Sequence, residues 1–121
     1  MILFLCILLP ALSPSSQEIC SAPGALPAPD LYLSQTSAQL GNSVQLQCSV
    51  ISQDPATRII FCKDREEISF QKGSENKVIY SYNHTVSSGS SGNYACGYEI
   101  KDSDKRVTKS QLSPAKHLNM T

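Results

Sequence analysis

The side chains best placed for chemistry in this 121-residue chain are its five cysteines, at positions 6, 20, 48, 62 and 96. Thiolates hold metals or oxidise in pairs. Structural zinc draws on close pairs of the C-x-x-C kind, and no such pair occurs, while His84 and His117 each stand alone on a strand-like segment. Both histidines are read as surface or half-buried side chains, and neither a metal nor a cofactor is expected. Pairwise oxidation remains, which requires an oxidising compartment. Catalysis lacks its parts, because there is no G-x-S-x-G elbow, no histidine locally paired with an acid and no glycine-rich phosphate loop ahead of a helix. Glu66 and Glu67 are adjacent on a strand-like segment, so they point to opposite faces instead of acting as a pair. The chain is not expected to be an enzyme.

The compartment follows from the first residues. Met1 to Leu12 is apolar throughout, about as long as the hydrophobic region of a secretory signal and too short to span a bilayer. Small residues at Ser13 and Ser15 place cleavage after Ser15, with Ser16 and Gly24 as alternatives, so residues 1–15 are assigned to a signal peptide. Cys6 leaves with it, and the four remaining cysteines permit three complete pairings. Roughly 105 residues are left, enough for one domain with a modest core. Ten basic and ten acidic side chains give a net charge of zero, which points to neither nucleic acid nor an anionic membrane. No second hydrophobic stretch follows Leu12, so no membrane span and no glycolipid-anchor tail are read in this sequence.

Stepping along the chain, Pro23, Pro27 and Pro29 among alanines mark residues 16–29 as an extended linker that does not pack. Beyond it, period-two alternation predicts strands at Leu31–Leu33, Ser43–Val50, Arg58–Lys63 and Val78–Val86. In the fourth of these, Val78, Tyr80 and Tyr82 share one face and Asn83 takes the other. A further strand runs from Tyr94 through Ile100, and a last one ends at Leu118 and Met120.

Three runs in these strands carry a family pattern. Gly41-x-x-Val44-x-Leu46-x-Cys48, Phe61-x-Lys63-Asp64 and Ser91-Gly92-x-Tyr94-x-Cys96 resemble the immunoglobulin superfamily, and within it Fc receptor-like and leukocyte-receptor domains. The resemblance covers Asp30 to Thr121. It implies an all-β, immunoglobulin-like sandwich of C2 or I type over residues 30–121, its two antiparallel sheets joined by one disulfide between Cys48 and Cys96. Tyr94, two residues before Cys96, matches the tyrosine corner at the start of strand F. Phe61 stands where relatives place a core tryptophan, a residue this chain lacks, so Phe61 is expected to lie against the disulfide and Ile60 to face outward. The 47 residues between the two cysteines leave room for strands C, C′, a short D and E, but not for an added C″. Arg65 replaces the glycine of the usual C–C′ turn, which implies a different or strained turn. By parity Cys62 faces away from the core, and Cys20 lies in the linker. They could bond to each other, but the favoured expectation is accessible thiols or bridges to a partner chain.

The remaining motifs lie on the surface. Asn83-His84-Thr85 and Asn119-Met120-Thr121 match the N-glycosylation acceptor, each asparagine on the outward parity of its strand. Two charge runs, Lys63–Glu67 and Lys101–Arg106, fall on turns expected at opposite ends of the sandwich, and a solvated hairpin tip explains either one. The candidate ligand surface combines residues 52–57 with Lys101, Asp102, Asp104, Lys105 and Arg106 of the F–G loop. What the resemblance implies is an extracellular ligand-recognition domain of an immune receptor, secreted or on the outer side of the plasma membrane. Its protein partner would be an immunoglobulin or a leukocyte surface protein, and the anchor and signalling parts are not in this sequence. The alternative is an adhesion module that pairs with itself or with another immunoglobulin domain.

Overall fold

In Ser43–Ser49 the apolar residues fall on every second position, and Val44, Leu46 and Cys48 are buried while the residues between them are not. The computed structural model, which describes residues 19–52 and 54–121, builds nine strands around that pattern. They are β1 (Asp30–Leu33), β2 (Ser37–Ala38), β3 (Ser43–Ser49), β4 (Arg58–Lys63), β5 (Glu66–Lys72), β6 (Ile79–Thr85), β7 (Gly92–Lys101), β8 (Val107–Lys109) and β9 (Lys116–Met120). One sheet has the order β1-β3-β6; the other runs β2-β9-β7-β4-β5, with β8 also on β7. The pairings are antiparallel except for β2 against β9. The expected signal peptide, residues 1–15, lies outside the described residues.

Between the sheets, Cys48 is bonded to Cys96. Phe61 sits opposite Cys96 in the β4–β7 register, fully buried, with its ring centroid 5.5 Å from that of Tyr82. Tyr94 donates its hydroxyl to the Ser90 carbonyl at 2.6 Å, closing the corner ahead of β7. The β4–β5 turn keeps the two-residue form that favours positive φ at both central positions, with Asp64 at 50° and Arg65 at 74°. Arg65 therefore occupies a left-handed conformation without glycine's freedom from a Cβ. Asp64 holds the turn in place. Its carboxylate accepts from Asn93 N at 3.0 Å, its own N–H donates to the Asn93 carbonyl at 2.8 Å, and Lys63 Nζ lies 3.1 Å from its Oδ2. These contacts, the Asn93 amide foremost, lower its pKa.

Several expectations are corrected. A second disulfide joins Cys20 to Cys62, and both cysteines are buried, so neither is an accessible thiol or a bridge to another chain. The linker reading fails for the same reason. From Ile19 onward the segment lies across the outer face of β4 and β7, where Ile19, Cys20, Ile60 and Cys62 form a second apolar cluster with Leu112 against it. Glycine makes this approach possible at two places: a Cβ on Gly97 would stand 2.9 Å from Ile19 Cδ1, and one on Gly24 would stand 2.2 Å from the Lys109 carbonyl oxygen. Backbone bonds from Gly24 N to Ser110 O and from Leu26 N to Lys109 O continue the contact. Ile60 is consequently as inaccessible as Phe61, although it points the other way.

The strand expected over Val78–Val86 starts at Ile79, as β6, and Val78, expected inside, is exposed. No strand D pairs with β6 among the described residues; a turn at residues 74–77 leads straight from β5 to β6. The last expected strand, strand G of the family pattern, which ends at Leu118 and Met120, is split into β8 and β9 around Ser110–Ser113. There the Ser110 and Ser113 hydroxyls accept from the backbone N–H groups of Tyr98 and Cys96, both at 2.9 Å, in place of ladder partners.

Three outcomes follow. Non-reducing peptide mapping of secreted protein should recover Cys20–Cys62 together with Cys48–Cys96, and replacing the Cys20/Cys62 pair by serine should cost about 2–4 kcal/mol. Phe61→Ala and Ile60→Ala should both destabilise in chemical denaturation, by about 3–5 and about 2–5 kcal/mol respectively, because each empties a filled site. His84, bonded to Ser90 Oγ at 2.9 Å, has a lowered pKa because of burial first and the Lys63 charge second. The unfolded chain therefore takes up this proton first as pH falls below about 6.5, so the stability present above that pH is lost toward the folded-state pKa. Thermal melts should show that loss, and His84→Gln should flatten it.

Candidate functional site

At the end of the sandwich opposite the Asp64 turn, three connections converge: residues 54–57 before β4, the turn after β5, and the β7–β8 hairpin. They enclose a groove of about 600 Å³, whose lining includes Pro55, Thr57, Lys72, Glu75, Ile100 and Lys101. Close backbone packing fixes its floor. Thr57 donates both N–H and hydroxyl to the Glu99 carbonyl, at 2.8 and 3.1 Å, and Gly73 N donates to Thr57 O at 2.9 Å. Gly73 is required there, since a Cβ would fall 1.8 Å from the Ala56 carbonyl oxygen. The turn beyond is tied to the Tyr80 hydroxyl, which accepts from Ser74 N at 2.9 Å and donates toward Lys77 O at 3.0 Å.

The structure brings Ser52, residues 54–57 and the F–G loop to the same end, but divides the loop's charges by role. The Asp102 carboxylate accepts from the backbone N–H of Asp104 and of Arg106, both at 2.9 Å, and its own N–H donates to Arg106 O at 3.0 Å. Lys105 completes the turn at φ 64°. Asp102 thus shapes the hairpin. Lys101, Asp104, Lys105 and Arg106 are exposed. The other charge run, Lys63–Glu67, is at the far end with Asp64 docked on Asn93, as the expected opposite placement of the two turns requires.

A further cluster on the outer sheet face was not singled out from sequence. Arg58 lies with its guanidinium carbon 4.4 Å from the Phe70 ring centroid, and its nitrogens are 3.4 Å from Glu67 and 3.6 Å from Glu99. Glu99 is buried and Phe70 is 56% exposed. The signal available was parity, since Arg58 and Cys62 share the outward face of one strand, but which β5 residue meets Arg58 depends on a bulge between Phe61 and Cys62. A shallow depression containing Phe70, Lys72, Lys101 and Val107 connects this cluster to the groove. Lys72 and Lys101 form no ion pair among the described residues.

Other candidate residues take separate places. Asn83 is exposed on β6 and Asn119 on β9. His84 bonds Ser90, His117 Nδ1 bonds the Asn93 side-chain oxygen at 2.8 Å, and no group of three metal-ligating side chains converges among the described residues. No helix among those residues is long and apolar enough to cross a membrane.

The fold is shared with several solved structures. The crystal structure of CHIR-AB1 superposes with a TM-score of 0.69 at 20% identity, covering 79% of this chain and 100% of that one. The human OSCAR ligand-binding domain gives 0.64 at 24% identity, covering 80% of this chain and 51% of that one. A strand-swapped dimer of the extracellular domain of mouse leukocyte-associated immunoglobulin-like receptor 1 gives 0.55 at 18% identity, covering 73% and 90%. No curated protein sequence matches the chain. The sequence profile of the immunoglobulin domain matches residues 25–113, and with the inter-sheet disulfide and the two-sheet order it shows that this chain belongs to the immunoglobulin domain family.

Proposed function

We propose that the chain is an extracellular ligand-recognition domain of an immune receptor, one that binds a protein through the groove end of the sandwich and carries out no catalysis. The convergence of residues 54–57, the turn after β5 and the β7–β8 hairpin on one open groove carries this reading. Lys72 and Lys101, which form no ion pair among the described residues, and the exposed Phe70 and Val107 border it, a mixture of cation and apolar surface suited to a protein partner. Two disulfides accord with an oxidising, extracellular setting. The resemblance to Fc receptor-like and leukocyte-receptor domains, together with neighbours described as a ligand-binding domain and a leukocyte-associated receptor, supports an immunoglobulin or a leukocyte surface protein as the partner. Because Cys62 is bonded to Cys20 and buried, its own side chain is not offered to a ligand.

An Fc-fused domain screened against immunoglobulins and leukocyte membranes tests the proposal. Replacing Lys101, Asp104, Lys105 and Arg106 by serine should weaken capture about tenfold or more, equivalent to about 1.4 kcal/mol, with a nearly unchanged melting temperature. Asp102→Ala should weaken capture as well, but by loosening the hairpin, seen as faster amide exchange there. Unchanged capture by the fourfold variant would remove this end from the site. Self-association of the unmodified domain with no other partner would favour the adhesion alternative.

A further inference from the structure

Strand β6 is an open edge. It pairs with β3 on one side only, since no strand D forms among the described residues. The direction of its backbone groups can be read from its ends: Val78 O accepts from Val50 N and Val86 N donates to Asn42 O, both toward the β3 side. In an antiparallel pair these directions alternate, so Ile79, Ser81, Asn83 and Thr85 turn their N–H and C=O groups to the unpaired side. Ser81 O is covered there by the Gln71 side-chain amide. Asn83 and Thr85 lie beyond that cover.

The composition of this edge makes it hazardous. Ile79-Tyr80-Ser81-Tyr82-Asn83-His84-Thr85 contains β-branched and aromatic residues and has no Lys, Arg, Asp, Glu, Pro or Gly, the kind of segment that recruits another strand. The other edges carry recognised safeguards. β1 has four residues and follows Pro29, β2 has two residues, and β5 carries Glu66, Glu67 and Lys72. β6 carries none of these. It does carry Asn83 and Thr85, both exposed, with His84 between them turned inward to Ser90.

We infer that Asn83 is an N-glycosylation site whose glycan guards the open β6 edge, in place of the missing strand D and of any edge charge. In the reaction Asn83 Nδ2 bonds to C1 of the first sugar of a lipid-pyrophosphate-linked oligosaccharide. The C1–O bond to the pyrophosphate breaks, the amide loses one proton and the lipid pyrophosphate leaves. Edge pairing needs a second strand within about 4.8 Å, and a bulky hydrated glycan at the centre of the edge denies that approach. Asn119 differs, because its strand is flanked by β7 and β2 and leaves no edge to guard.

The domain secreted from mammalian cells should carry a glycan on Asn83 by intact mass and run as a monomer in light-scattering chromatography; Thr85→Ser, which keeps the acceptor, should match it. Asn83→Gln and Thr85→Ala should lose the glycan and at least double in mass. Asn83→Lys, also without glycan but with an edge charge, should stay monomeric, which separates edge pairing from misfolding. An unmodified Asn83 in the wild-type domain, monomeric Asn83→Gln and Thr85→Ala variants, or an Asn83→Lys variant that associates like them would each overturn the inference. Ligand capture is read separately, so failure of the proposed binding end leaves this test intact, and the adhesion reading differs in requiring association of the glycosylated wild type.

Discussion

The β4–β7 ladder is buried on both faces, and the rest of the domain is arranged to meet that constraint. On the inner face Ile59 and Phe61 meet Tyr94, Cys96 and Tyr98; on the outer face Ile60 and Cys62 lie beneath Ile19 and Cys20. A ladder closed to water on both sides must have its backbone groups paired within the protein. β5 supplies partners on one flank. On the other, β8, β9 and the hydroxyls of Ser110 and Ser113 together supply what one continuous strand would have given. Each face carries its own disulfide, bonded at Cys96 within and at Cys62 without, so neighbouring rungs of the ladder are held from opposite sides.

That rigid centre gives the two ends of the sandwich different characters. At one end Asp64 is bound by Asn93 and Lys63, and Gly92 is needed because a Cβ there would lie 2.5 Å from the Asp64 carboxylate. Charge at this end is spent on holding a strained turn. At the other, the hairpin needs only Asp102 to shape it, and Lys101, Lys105 and Arg106 remain available to a partner. Two turns equally rich in charge therefore differ in what they can do, and the difference lies in where their carboxylates find amide donors.

The outer sheet face is divided in the same way. Arg58 is held between two carboxylates and an aromatic ring, so its charge is largely answered within the domain. Lys72 on β5 and Lys101 on β7, with β4 between them, form no ion pair among the described residues, and Phe70 and Val107 leave apolar surface beside them. Because the Cys20 segment covers the other half of this face, the exposed part is continuous with the groove and forms one surface with it.

Alternation and local motif determined much of this protein. Ser43–Ser49 and Arg58–Lys63 are strands because their apolar residues repeat every second position or run without interruption, and Tyr94 closes its corner with a residue four positions away. The inter-sheet disulfide was legible because both cysteines sit in such local patterns. Cys20–Cys62 was not. Its first half lies in a proline-rich segment without periodicity, and parity says only that Cys62 and Ile60 leave the first core, not whether anything covers them outside. The lack of a strand D among the described residues and the break in strand G were likewise decided by tertiary structure. Each depends on which distant backbone group lies within hydrogen-bond reach, and a one-dimensional pattern carries no such distances.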